Sequence, residues 1–204
     1  MAKLKKTKNE LKAQREALRR YERFLPTLEL KKQQLQREVR RAEAELQTCA
    51  ARRDEVRAGL LPWVRLLPLL PDLGEYVHLD DVRLDVVNVA GVNVPVLAGL
   101  AFAPARIDYF ATPPWLDDAV EALGELVRLR AEELVVRRRR DLLAEELRLT
   151  SQRVNLFEKV MIPRTLENIR VIRIAQGDAQ TAAVARAKLA KGKAESLLSG
   201  SAAG

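Results

Sequence analysis

Residues 3–60 read KLKKTKNELKAQREALRRYERFLPTLELKKQQLQREVRRAEAELQTCAARRDEVRAGL. Leu4, Leu11, Leu18, Leu25, Val39, Leu46 and Leu60 fall on one seven-residue series, interrupted by Lys32 and Arg53. Tyr21, Leu28, Leu35, Ala42, Cys49, Val56 and Trp63 form a second series three residues later. Alternating spacings of three and four are the a/d seam of a left-handed coiled coil. Most of the remaining positions are charged or Gln, so the stretch predicts one long helix with a narrow apolar stripe. Such a stripe needs a second helix along most of its length.

Working outward, the partner is expected from the same chain. From Thr112-Pro113-Pro114-Trp115 a helical pattern runs to Leu198, with Asp117, Asp118 and Glu121 suited to the positive end of the helix dipole. Its stripe is read as Val120, Leu123, Val127, Leu134, Leu143, Leu147, Val154, Met161, Ile162, Ile169 and Ile172, thinning to alanines beyond Gln176. The predicted fold is therefore mainly α: a long antiparallel two-helix coiled coil formed by the N- and C-terminal helices, with a small middle region containing a short β-hairpin. The expected parts are residues 1–60, 61–115 and 116–198, followed by a disordered tail over 199–204. At about 1.5 Å per residue, the first helix would be roughly 85 Å long.

Thr7 or Asn9 is a candidate cap for that helix, and Gly59 followed by Pro62 ends it. Prolines at 62, 68 and 71 predict short turns. Between Val82 and Ala98, β-branched residues surround Ala90-Gly91, which predicts a hairpin. An isolated hairpin is marginal in water, so it should lean on the helices. Val82, Leu84, Val87, Val89, Val92 and Val94 are its candidate partner-contact residues. Pro26 and Pro163 interrupt the two helical patterns without shifting their phase, which predicts kinks rather than breaks. If the helices end level, residue i faces about residue 193 − i, and the two prolines share one bend.

Composition narrows the function classes. Charged residues are 31% and aromatics 4% of 204 residues, a balance suited to long helices. The net charge is +8, and residues 1–60 alone hold 17 Lys+Arg against 9 Asp+Glu. A basic helix can bind nucleic acid, an anionic surface or an acidic protein, so a basic coiled-coil binder or scaffold is the alternative reading. The single cysteine excludes an internal disulfide. No secretory leader or membrane span is read, and the chain is not expected to insert in a bilayer. No phosphate-binding glycine motif occurs. His78 is the only histidine. It is read as a loop residue and Cys49 as a packed thiol. Catalytic, metal and cofactor sites are all expected to be absent. The run Arg137-Arg138-Arg139-Arg140, among acidic neighbours, reads as a solvated face.

One segment carries a resemblance. Arg153-Val154-Asn155-Leu156-Phe157-Glu158-Lys159-Val160-Met161-Ile162-Pro163-Arg164, then Ile169-Arg170-Val171-Ile172-Arg173, resembles the motif of the D subunit of the V-type and A-type rotary ATPases. Thr7-Lys8-Asn9-Glu10-Leu11 and Leu28-Glu29-Leu30-Lys31-Lys32 resemble that family's opening helix. The resemblance covers both long helices. It implies a non-catalytic central shaft in the cytoplasm, peripheral to the membrane. It also implies partners: the hexamer of A and B subunits, the F subunit, and the subunit linking the stalk to the membrane ring. Nucleic acid is not an expected partner, and the hairpin is the expected place for the F subunit.

Overall fold

The computed structural model describes residues 4–62, 64–65, 76–104 and 112–201, the side chains of 194–201 excepted. Its elements are α1 (Lys8–Leu60), β1 (Leu79–Val89), β2 (Val92–Phe102), α2 (Leu116–Leu156), a π-helical turn (Phe157–Met161) and α3 (Ile162–Ser201). The predicted mainly-α fold, with two long helical stretches around a hairpin, is what the chain adopts. Trp63, Pro68 and Pro71 lie outside the described residues, as do residues 202–204. The backbone of α3 stays helical to Ser201, past the expected end at Leu198. The chain divides into two compact units, Met1–Glu29 with Gln152–Gly204, and Leu30–Ser151.

Local chemistry sets the helix ends. Thr7 caps α1: its hydroxyl accepts from the Glu10 N–H at 3.3 Å, and its carbonyl accepts from Leu11 N–H at 3.0 Å. A side-chain oxygen thus satisfies one of the unpaired N–H groups of the first turn. Leu4, expected to open the helical seam, precedes α1 and is half-buried. At α2, Leu116 N–H donates to Pro113 O at 3.1 Å, and Asp117 and Asp118 occupy the first turn.

In the first unit, α1 pairs antiparallel with the C-terminal helical stretch. Asn168 Nδ2 donates to Gln14 Oε1 at 3.4 Å, and the Tyr21 and Phe157 rings lie 5.2 Å apart. Val154, Ile169 and Ile172 are buried on the returning side. The level-ended register is wrong here. It would set residue 179 opposite Gln14, but Asn168 is there. The helices do not end level: every described residue of α3 from Gly177 to Lys193 is exposed, because α1 begins only at Lys8. Pro163 consequently lies near the level of residue 17, and Pro26 about nine residues, or ~13 Å, further along. The two prolines do not share a bend.

They are also accommodated differently. α1 continues unbroken through Pro26. Before Pro163 the helix widens, and Ile162 N–H donates to Phe157 O, five residues back. Proline has no N–H and its ring crowds the carbonyl four residues earlier. A π-turn inserts one extra residue where that α-helical bond would be lost.

In the second unit, the hairpin leans on α1 and α2. Leu35, Val94 and Leu143 form a core with at most 1% exposure, joined by Val39, Val89, Ala90, Val92, Leu142 and Leu147. The strands are longer than the predicted Val82–Ala98 span, with irregularities between Leu79 and Asp81 and between Arg83 and Leu84. Ala90 and Gly91 both have positive φ, 51° and 81°. That is the backbone of a type I′ turn, whose twist matches the strands. Asn88 supports it, accepting from Gly91 N–H at 3.1 Å and donating to Asn93 at 2.8 Å.

Leu134, expected on the stripe, is 49% exposed, whereas Leu129 and Glu133 are buried. The nine-residue step from Leu134 to Leu143 is half a turn out of phase with an α-helix. The true face runs through 129, 133, 136, 143, 147 and 150.

Two measurements follow from this geometry. Cysteines at Gln14 and Asn168, in a Cys49→Ser background, should form a disulfide rapidly under mild oxidation. Faster bridging of residue 14 to residue 179 would restore the level-ended register. Alanine is strained at positive φ, so Ala90→Asn should raise unfolding stability by about 0.5–1 kcal/mol. A loss of stability in thermal melts would contradict the turn assignment.

Candidate functional site

Burial along α1 follows the heptad closely. Leu11, Leu18, Tyr21, Leu25, Leu28, Val39 and Leu46 are half-buried, and Leu35, Ala42 and Leu60 buried. On the returning side, Met161 and Ile162 are half-buried beside the buried Val154, Ile169 and Ile172. The buried band is wider than two positions. It also takes in Glu10, Ala17, Lys31, Glu38 and Glu45, which flank the seam in the heptad. Such flanking positions carry the ion pairs that fix the register of coiled coils.

Those pairs occur in the second unit. Lys31 Nζ lies 2.6 Å from Glu146, and Arg139 pairs with Glu45. Arg53, a break in the apolar series, reaches Glu133 at 2.8 Å. Glu133 also accepts from Arg130 at 3.0 Å and from Arg137 at 2.5 Å. A 5%-exposed carboxylate thus gathers three guanidinium groups. Burial is the largest single influence on Glu133 and pushes its pKa up. The Arg130 hydrogen bond and the charges of Arg130, Arg53 and Arg137 together outweigh it, so the carboxyl sits below its usual value.

The basic run is not simply a solvated face. Arg137 and Arg139 turn to Glu133 and Glu45, and Arg140 pairs with Asp141 at 2.8 Å, while Arg138 is exposed. Sequence reasoning misses this, although Glu133 and Arg137 stand four apart, the spacing of neighbours on one helix face. Cys49 lies at a groove of about 540 Å³ lined by Arg41, Arg52, Val96, Glu132 and Val135. Burial, then Glu132, raises the thiol's pKa against the opposing charge of Arg52. The thiol is therefore protonated at neutral pH. Among the described residues, no group of three or more His, Cys, Asp or Glu could hold a metal ion. No helix there is long and apolar enough to cross a membrane.

The candidate hairpin residues divide between two faces. Val94 is fully buried, and Val89 and Val92 pack beside it. Val87, paired with Val94, shares that inner face and borders a small cavity of about 160 Å³ with Val89, Val94 and Val96. Val82 and Leu84 point to the opposite face, exposed, together with Val86, which is not among the residues expected from sequence. Side chains alternate along a strand, so this outer row follows from the buried Val94.

The motif residues Arg153, Asn155, Glu158, Pro163, Arg164 and Arg170 are exposed, whereas Val154 and Ile169 are buried and Ile162 is half-buried. Arg170 is held by Glu167 at 2.9 Å. The motif spans the π-turn and Pro163; Val154, Ile162 and Ile169 turn inward, while its polar members and also Leu156 and Val160 lie on the outside. Over residues 10–192 the sequence matches the family profile of the ATP synthase D subunit. The chain belongs to that family. It is 39% identical over 191 residues to the V-type ATP synthase D subunit of Borreliella burgdorferi, covering 94% of this chain and 95% of that protein. The V-type ATP synthase D subunits of Chlamydia pneumoniae and Chlamydia muridarum are each 35% identical, covering 94% and 93% of this chain and 93% and 95% of their own lengths.

The Glu133 cluster has a definite pH signature. A carboxyl with a depressed pKa in the folded state adds stability above its unfolded pKa, near 4.3. That stability disappears as pH falls through the lower folded value. Glu133→Gln should cost about 2 kcal/mol at pH 7, and the difference from the unsubstituted chain should shrink steadily below pH 4. Equal differences at pH 7 and pH 3 in urea titrations would contradict the assignment.

Proposed function

We propose that this D-family chain is the central shaft of a V-type rotary ATPase or ATP synthase, carrying torque between the catalytic A/B hexamer and the membrane ion-translocating ring. Its further partners are the F subunit and the subunit linking the stalk to the ring. The chain does no covalent chemistry. It works in the cytoplasm, peripheral to the membrane.

The observation that carries this reading is the family match across residues 10–192, which takes in both helical stretches and the hairpin. The physical demands of a shaft support it. Torque passes along a helix pair only if neither helix slides or unwinds against the other. A paired apolar seam opposes unwinding. Sliding by one turn would separate Lys31 from Glu146 and Arg53 from Glu133, and leave the buried Glu133 without one of its three partners. The outer hairpin row of Val82, Leu84 and Val86 is the surface offered to a partner, the F subunit being the proposed one.

A direct test attaches a bead through an engineered cysteine on this chain, with the A/B hexamer fixed to glass. Saturating ATP should drive stepwise rotation in one direction. Linking the chain to the hexamer by a disulfide should stop both rotation and hydrolysis until reductant is added. Full-rate hydrolysis with the chain so linked would overturn the proposal.

A further inference from the structure

The sheet of the hairpin has two strands, so each has one edge not hydrogen-bonded to the other. The two edges are not alike. The two-residue turn at Ala90-Gly91 makes Val89 and Val92 the first hydrogen-bonded pair. Alternation then makes Val87–Val94 hydrogen-bonded, and Asn88–Asn93, Val86–Pro95 and Leu84–Leu97 the pairs whose main-chain groups point away from the partner strand. Pro95, with no N–H, therefore interrupts the outward edge of β2. Proline at such a position is a common device for blocking strand addition.

β1 has no proline between Leu84 and Asn88, so each residue there carries an N–H. The main-chain N–H and C=O groups of Leu84, Val86 and Asn88 point outward, and all five side chains of that stretch are exposed. Leu84 and Val86 are 52% and 70% exposed. The charge is also distinctive. In a chain of net charge +8, the two strands carry Asp80, Asp81 and Asp85 against Arg83 alone. Arg83 is taken by Asp81 at 3.2 Å, and among the described residues no ion pair involves Asp80 or Asp85.

We infer that the outward edge of β1, from Leu84 to Asn88, is a strand-addition site for an extended segment of a partner protein that combines apolar side chains with Lys or Arg. Main-chain hydrogen bonds supply affinity in such pairing, and side chains on alternate positions supply selectivity. Apolar residues of the partner cover Leu84 and Val86, and its cations meet Asp80 and Asp85. A second copy of this chain fits poorly. It would bring the same acidic strand, with Asp80, Asp81 and Asp85 against Arg83 alone, and so lacks the excess of cations that complements this edge. The inference rests on the chain being part of a larger assembly, and it adds the mode of contact and the chemistry of the segment.

Hydrogen exchange read residue by residue tests it, on the isolated chain and on its assembly with the A, B and F subunits. In the isolated chain the amides of Leu84, Val86 and Asn88 should exchange freely, while those of Asp85 and Val87, bonded to β2, are protected. In the assembly the first three should slow by at least about tenfold. Val86→Pro removes one outward N–H without touching a β1–β2 hydrogen bond. It should weaken assembly about tenfold, while Val86→Thr stays within about twofold. Persistent free exchange of the three amides in an intact assembly overturns strand addition and leaves the shaft reading standing. Failure of the chain to assemble with those subunits overturns both.

Discussion

The narrow apolar seam of α1 must be buried, and the chain buries it with its own returning helix. Charge decides where along the seam the returning helix stops. Apolar contact alone would tolerate a shift of one heptad, because the a and d positions repeat. The cross-helix ion pairs Lys31–Glu146, Arg139–Glu45 and Arg53–Glu133 do not repeat. A slip takes Arg53 from the buried Glu133 and leaves it only the two arginines of its own helix, a larger loss than that of an exposed ion pair. The same pairs locate the hairpin, since its core contact needs Leu35 and Leu143 at one level.

The two prolines illustrate how one sequence feature has different structural outcomes. Pro26 stays within regular helix, where Thr27 Oγ1 donates to Phe24 O at 2.7 Å. Pro163 follows a π-turn, with Thr165 Oγ1 donating to Met161 O at 2.6 Å. The second arrangement sits within the family motif and places Phe157 against Tyr21. A shift from 3.6 residues per turn by one inserted residue changes which side chains face the seam beyond it. The apolar spacing from Val154 to Ile162 is eight residues and from Ile162 to Ile169 seven, a pattern that absorbs the insertion.

Much of this is readable from residues. The heptad names the half-buried face of α1, the β-branched run around Ala90-Gly91 names the hairpin, and the R-V-N-L-F-E motif names the family. What fails does so for physical reasons. Register depends on where each helix ends and on ion pairs between distant residues, and neither is local. Hydrophobicity assigns Leu134 to the stripe, yet Glu133 beside it is buried because three arginines neutralise it. The hairpin residues sort into inner and outer faces only once one of them, Val94, is seen against Leu35 and Leu143. The cluster at Glu133 leaves a trace in Arg53, a charge on an apolar series, which points to an acidic partner across the seam.

The central claim is that the α1 seam is satisfied within one chain. The dependence of its thermal unfolding on concentration tests this most directly, followed by helical ellipticity over a hundredfold dilution. Intramolecular pairing predicts a midpoint and a helix content that do not change. A midpoint that falls with dilution, as mass action requires when two chains supply the paired helices, would contradict the account.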